Sequence, residues 1–246
     1  MPTIYLSPST QEFNPYVDFG NEEEYMNLIA DAMIPYLEAS GIGYVRNTPD
    51  MTAASSIRQS NMGNYDLHLA LHSNASGQGA QGSRRGTEVY YYPRSANGKR
   101  AADIIANNLK LIYPLPEKVV TVPTTTLGEV AKTKAPSVLI EYAFHDNAED
   151  AAWIRNNVNA IAENTVLSLA DYFNIPFNVP EEQGTAVVIT NGGNLNIRRY
   201  PSLDSIVVGS VPNGARVTVL NRLPDWYLIK YGDIMGYSYF SYLQEE

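Results

Sequence analysis

The stretch Asp66-Leu67-His68-Leu69-Ala70-Leu71-His72 decides the fold class of the N-terminal part of the chain. Its apolar run is nearly continuous, which is typical of a strand covered on both faces, as in a parallel sheet. A second strand of this kind is predicted at Ser137-Val138-Leu139-Ile140-Glu141. Helical patterns alternate with the strands along the chain. This alternation predicts an α/β domain with a mainly parallel sheet flanked by helices.

Two of the helical patterns carry specific expectations. Apolar residues recur three and four positions apart from Tyr25 to Leu37, and Pro35 within that pattern predicts a kink or an early end. A single long helix is predicted from about Ala148 to Ala170, after a cap at Asp146 or Asn147.

The composition and hydrophobic pattern of the sequence change after Tyr172. Residues 175–185 are rich in Pro and polar residues, as in a linker, and beyond them short β-type runs are separated by turn pairs such as Asn213-Gly214. We therefore predict an α/β domain over residues 1–174, a linker over 175–185 and a small all-β barrel over 186–246.

Composition excludes several classes of function. Seventeen Lys and Arg against 26 Asp and Glu give the 246 residues a net charge of −9, so we expect no nucleic-acid partner. The absence of Cys excludes disulfides, thiolate metal ligands and a cysteine nucleophile. No apolar run reaches the roughly 18 residues of a membrane span, and the first residues lack the pattern of a signal peptide. We therefore expect either that a signal peptide has been removed or that export happens another way.

Side chains that suit a catalytic metal follow the predicted strands. His72 and Glu141 end two strands, His145 follows in the next loop, and one of the residues Glu22 to Glu24 could reach the same rim. Imidazoles, a carboxylate ligand and a free carboxylate suit a zinc site with an open position for water. Alternatively, these are ordinary hydrogen-bonding residues, and the negative charge of the three glutamates only stabilises the N-terminus of a helix.

His68 lies four residues before His72 on the same strand. The two residues share a face but stand roughly 13 Å apart at about 3.3 Å per residue, so they are not expected to chelate one ion. We interpret His68 as a buried structural or supporting residue.

Three segments, Asp66–Ala75, Gly86–Tyr92 and Ala135–Asp150, together resemble the zinc-dependent N-acetylmuramoyl-L-alanine amidases of the amidase-3 type. The resemblance extends from about Thr3 to Tyr172. It implies an α/β fold and an enzyme that cleaves the amide bond between N-acetylmuramic acid and the L-alanine of the stem peptide. It also implies a Zn²⁺ cofactor and peptidoglycan as partner. The expected place of action is outside the cell or in the cell wall, and an enzyme of phage type would also act there.

The resemblance also implies roles for individual residues. Glu23, with Asn27 four residues later, and His72 match zinc ligands of the family, and Glu141 matches its catalytic glutamate. Thr10 stands where the family has its first zinc histidine. His145 is the predicted substitute, and Thr10, Gln11 or water are the alternatives.

Two further residues, Asn74 and Arg58, are predicted to orient the substrate or to stabilise charge. The tail from about Ala186 to Leu243 resembles a bacterial SH3-like module, which implies binding to cell walls. Two other functions stay open. The missing histidine leaves room for a non-catalytic peptidoglycan-binding protein with a degenerate site, and a zinc carboxypeptidase that acts on stem peptides is a third interpretation.

Overall fold

The structure is a computed structural model that describes residues 1–199, 201–203, 205 and 207–246. The chain divides into two compact units, Met1–Asn178 and Val179–Glu246. The start of the predicted linker therefore belongs to the first unit, where the Asn178 backbone carbonyl accepts a hydrogen bond from Ser40 Oγ at 3.2 Å. Among the residues described, none of the helices has the length and apolar character needed to cross a membrane.

The first unit is built around one sheet. Its strands are β1 (Thr3–Pro8), β2 (Gly43–Arg46), β3 (Leu67–Asn74), β4 (Thr87–Tyr91), β5 (Val119–Pro123) and β6 (Ser137–Phe144). They lie in the order β2-β1-β3-β6-β4-β5, and β4 with β6 is the antiparallel pair in an otherwise parallel sheet. The prediction of an α/β unit with a mainly parallel sheet is confirmed.

Helices cover this sheet unequally. They are α1 (Glu22–Ala39), α2 (Ala53–Met62), α3 (Ala96–Leu109), α4 (Gly128–Ala131), α5 (Ala148–Asn156) and α6 (Val158–Phe173). The long helices α1 and α3 both pack against α6, whereas the short helix α4 packs against β6 and α2. Leu69, Leu71, Val138 and Ile140 of the two central strands are completely buried, as their apolar runs indicate.

Two predictions about the helices differ from the structure. Of the kink or early end predicted at Pro35, the early end is wrong: helix α1 continues through Pro35 to Ala39, because Pro35, Tyr36 and Leu37 are buried and their packing outweighs the hydrogen bond that proline cannot donate. The predicted single helix near the C-terminal end of the unit is two helices, α5 and α6. Asn157 separates them: its side chain donates to the Trp153 carbonyl at 2.8 Å, and such local bonds compete with a continuing helix.

In the described part of the second unit, the regular elements are β-strands and one short 3₁₀ turn. Its strands are β7 (Gly184–Val188), β8 (Leu195–Arg198), β9 (Val207–Val211), β10 (Arg216–Arg222), β11 (Trp226–Tyr231), β12 (Ile234–Tyr239) and β13 (Leu243–Glu245). They form one antiparallel sheet in the order β13-β7-β10-β11-β12-β8-β9. Eight buried residues, including Val188, Ile197 and Ile229, form its core. This architecture agrees with the predicted SH3-like domain.

Candidate active site

One face of the first unit's sheet carries the polar side chains that the sequence singled out. His72 on β3 pairs in register with Glu141 on β6, and Glu141 pairs with Glu88 on β4. Residues opposite one another on paired strands direct their side chains to the same face. Helix α4 covers this face by packing Val130 on Ala70 and Leu139. The site is therefore built on rigid strands and lies under a short helix.

His72 is held between two carboxylates. Its Nδ1 lies 2.8 Å from Glu22 Oε1, and its Nε2 lies 3.1 Å from Glu129 Oε2. All three residues are buried. Both ring nitrogens of His72 are thus partnered, each by a different element of the fold.

The charges of this trio stabilise one another. Burial lowers the pKa of His72, but the hydrogen bonds and charges of Glu129 and Glu22 outweigh burial and raise its pKa well above the ordinary value. Burial likewise raises the pKa of both carboxyls, and hydrogen bonds outweigh it, so that the pKa of Glu22 and that of Glu129 are lowered. Without a metal, the cluster therefore holds an imidazolium between two carboxylates.

Glu22 reaches His72 because of how α1 begins. Asn21 caps the helix by accepting a hydrogen bond from the Glu24 backbone, which places Glu22 at the first helical position. Asn14 Nδ2 donates to Glu22 Oε2 at 2.6 Å and holds the carboxylate over the sheet. Gln11 Nε2 lies 3.3 Å from His72 Nδ1 and 3.4 Å from Glu22 Oε1.

The neighbouring residue Glu23, the predicted zinc ligand, has a different contact. Its Oε1 accepts a hydrogen bond from Asn27 Nδ2 at 2.8 Å, one turn along α1. The structure brings Glu22 against His72, and the contact described for Glu23 is with Asn27. Adjacent residues of a helix project about 100° apart, so the two side chains leave α1 in different directions.

The surroundings of the Glu141 side chain oppose the ionisation of its carboxyl. Its Oε2 is buried and has no hydrogen-bond partner among the described residues. Burial raises the pKa of Glu141 to about 8; the charge of His72 opposes this shift, and the charges of Glu22 and Glu88 add to it. A buried carboxyl with a pKa near neutrality is typical of a group that exchanges protons during catalysis.

Glu129 is a site residue that sequence reasoning missed. Its carboxylate contacts both histidines of β3, since Oε1 lies 3.3 Å from His68 Nε2 while Oε2 contacts His72. Ser7 Oγ also donates to Glu129 Oε1. Helix α4 has only four residues, so no periodic pattern marks it, and an isolated Glu in a short helix gives no signal that it is buried.

The predicted substitute ligand, His145, lies beside a different residue of β3. Its Nδ1 is 2.8 Å from the Ser73 carbonyl and 3.1 Å from Ser73 Oγ, and its ring stacks on Tyr16 at a centroid distance of 5.3 Å. Because successive residues of a strand point to opposite faces, Ser73 and His72 direct their side chains apart. No described contact joins His145 to His72 or Glu22.

The two residues predicted to assist the substrate lie in different places. Asn74, at the end of β3, donates to Glu88 Oε2 at 2.9 Å and is thus part of the same sheet face. Arg58 lies on α2 with an exposed side chain. The structure therefore joins Asn74, but not Arg58, to the cluster around Glu141.

The chemistry of the donors suits zinc. His72 and Glu22 supply an imidazole nitrogen and a carboxylate oxygen, both common zinc ligands, and the unpartnered Glu141 Oε2 lies on the adjacent strand. Within the residues described, no group of three or more His, Cys, Asp or Glu is arranged to hold a metal ion. His72 and Glu22 therefore supply two donors of the kinds that zinc takes, and any further donor lies outside this pair.

Comparison with known proteins identifies the family. The model of the N-acetylmuramoyl-L-alanine amidase family matches residues 16–171, which is more than half of the chain. The chain belongs to the N-acetylmuramoyl-L-alanine amidase family. A bacterial SH3 domain model matches residues 193–244 of the second unit.

Individual relatives agree with this family assignment. The N-acetylmuramoyl-L-alanine amidase LytC of Bacillus subtilis (strain 168) is 31% identical over 163 residues, which are 63% of this chain and 32% of that protein. The chain therefore spans about a third of the length of this relative. Among solved structures, the amidase AmiC2 of Nostoc punctiforme superposes with a TM-score of 0.60 at 18% identity, covering 70% of this chain and 97% of the other. The catalytic domain of the CD27L endolysin targeting Clostridia difficile superposes with a TM-score of 0.57 at 23% identity, covering 70% of this chain and 98% of the other. These likenesses establish the fold of the amidase unit.

Proposed function

We propose that the protein is a zinc-dependent peptidoglycan hydrolase that cleaves the amide bond between N-acetylmuramic acid and the L-alanine of the stem peptide. One observation carries the proposal: a buried oxygen of the Glu141 carboxyl, Oε2, has no hydrogen-bond partner among the described residues, and Glu141 lies on the strand beside His72, which contacts Glu22, in a chain of the amidase family. The bacterial SH3 match supports peptidoglycan as the partner and the cell wall or the cell exterior as the place of action.

His72 and Glu22 are the residues that would hold the proposed zinc ion. When bound, zinc supplies a Lewis acid that activates water and polarises the scissile carbonyl. The protein's own contribution is to fix these donors: Asn14 and Gln11 hold the Glu22 carboxylate. The roles of Glu23 and His145 as ligands stay predictions, and Thr10, Gln11 or water are the alternatives for the remaining positions.

Glu141 acts as general base and then as general acid. Its carboxylate takes a proton from the attacking water, and its burial, which raises its pKa, allows it to keep that proton until the L-alanine amine leaves. Glu141 has to be ionised to accept the first proton, and the positive charge of a metal held by His72 and Glu22 would favour that form. Asn74, through Glu88, borders the same face and is proposed to orient the substrate, and Arg58 is the second candidate for this role.

Dye release from purified sacculi tests this function, with the wild type, Glu141→Ala and the exposed-site control Glu117→Ala. We expect the wild type and the control to release intact stem peptides with a free L-alanine amine, and a chelator to stop the release. Glu141→Ala is expected to keep its zinc and to lose turnover. Retained turnover in this variant would remove Glu141 from the mechanism.

The same assay distinguishes the alternatives. A non-catalytic wall-binding protein, which the threonine at position 10 would allow, binds sacculi without releasing peptides. A zinc carboxypeptidase releases free amino acids instead of intact peptides. Either result would overturn the amidase proposal.

A further inference from the structure

The contact between Glu129 and His72 has a geometry that suits the outer layer of a metal site. Glu129 Oε2 lies 3.1 Å from His72 Nε2, on the side of the ring away from the nitrogen that contacts Glu22. A ligand histidine commonly donates its second N–H to a carboxylate, which fixes the tautomer and the orientation of the ring. Glu129 occupies this position relative to His72.

Glu129 is itself held firmly. Its side chain is almost completely buried, its Oε1 accepts a hydrogen bond from Ser7 Oγ, and His68 Nε2 lies 3.3 Å from the same oxygen. His68 in turn lies 2.9 Å from Ser60 Oγ through Nδ1 and stacks on Tyr5. A carboxylate with this many fixed partners has little freedom to turn away from His72.

We propose that Glu129 is a positioning residue that accepts the Nε2–H of His72, so that the lone pair of Nδ1 is directed at the metal, and that His68 holds Glu129 in place. This inference rests on the proposed function and adds to it a residue that acts through His72 without touching metal or substrate. It also gives His68 a defined role, which is to support the carboxylate.

Zinc affinity, measured by competition with a chromophoric chelator, tests the proposal without any assay of activity. Glu129→Gln, which preserves shape, is expected to weaken zinc binding by about 10- to 100-fold, the range for loss of an outer-layer partner. His68→Gln is expected to weaken it less, because Ser7 and His72 still hold the carboxylate. His68→Gln also keeps the test available if Glu129→Gln does not fold, which circular dichroism reports.

Two controls bracket these results. Glu88→Gln removes a carboxylate from the same sheet face that is bonded to Asn74, Arg84 and Tyr90, so it measures the effect of charge alone. His72→Ala removes the ligand and sets the limit of complete loss. In zinc-loaded wild type, long-range proton–nitrogen NMR of the His72 ring is expected to show a protonated Nε2 and a metal-bound Nδ1.

The outcomes distinguish failure of the proposed function from failure of the positioning role of Glu129. If the wild type binds no zinc, the proposed function fails. If the wild type and Glu129→Gln bind zinc equally, or if Glu88→Gln weakens binding as much as Glu129→Gln does, only the positioning role fails. Loss as complete as in His72→Ala, or metal on Nε2, would make Glu129 a ligand and would also overturn the positioning role.

Discussion

Replacing Glu141 by Gln is expected to make the stability of the metal-free protein less dependent on pH. Burial raises the pKa of this carboxyl from 4.5 to about 8 in the folded protein. A carboxyl with a raised folded-state pKa stabilises the fold while it is protonated. This stabilisation is complete below the unfolded pKa and is lost as the pH rises through the folded pKa.

The two pKa values set the size of the effect. Linkage gives a loss of about 3.5 kcal/mol in the free energy of unfolding between pH 5 and pH 8. Gln cannot ionise and so avoids this loss. At about 2–4 °C per kcal/mol for a unit of this size, Tm should fall about 10 °C further in the wild type than in Glu141→Gln over that range.

Calorimetry in excess chelator at pH 5, 6, 7 and 8 measures this difference. The wild type and Glu141→Gln share every other titratable group, so the contributions of those groups cancel in the comparison to first order. The exposed-site variant Glu117→Gln should keep the wild-type profile. If the profiles of the wild type and Glu141→Gln are parallel, Glu141 is not a buried carboxyl with a raised pKa, and its proposed role loses its physical basis.

Three further predictions concern the zinc ligands and the stability of the first unit. Glu22→Gln should weaken zinc binding by more than about 100-fold, beyond the effect of an outer-layer change, and its ranking against Glu23→Gln in a chelator competition decides which glutamate is the ligand; a larger loss in Glu23→Gln would return the role to Glu23. In the same titration, weaker binding by His145→Ala would support His145 as the third ligand, and unchanged binding would leave that position to Thr10, Gln11 or water. Asp150→Ala should cost about 3–5 kcal/mol in urea unfolding, because this completely buried carboxylate accepts hydrogen bonds from Arg85, Tyr113 and two backbone amides. The side chain of the neighbouring residue Glu149 is 71% exposed, so Glu149→Ala should lower the free energy of unfolding by less than about 1 kcal/mol. Equal losses in the two variants would show that burial does not set the size of the effect.

The sequence by itself determined the central strands and pointed to the polar residues that follow them. Nearly continuous apolar runs at β3 and β6 favour the middle of a covered sheet, whereas the pairing of these two strands, which brings His72 and Glu141 side by side, is seen only in the structure. Short turn-separated runs likewise determined the β structure of the second unit. These features depend on local patterns, which a sequence displays directly.

Only the tertiary structure decided which side chains meet. Three consecutive glutamates begin α1, and the rotation that directs Glu22 to His72 depends on the cap at Asn21 and on the bond from Asn14. Glu129 reaches His72 from 57 residues away along the chain, on a helix too short to show a period. Such contacts arise from the packing of one element against another, and no local pattern encodes the orientation that results.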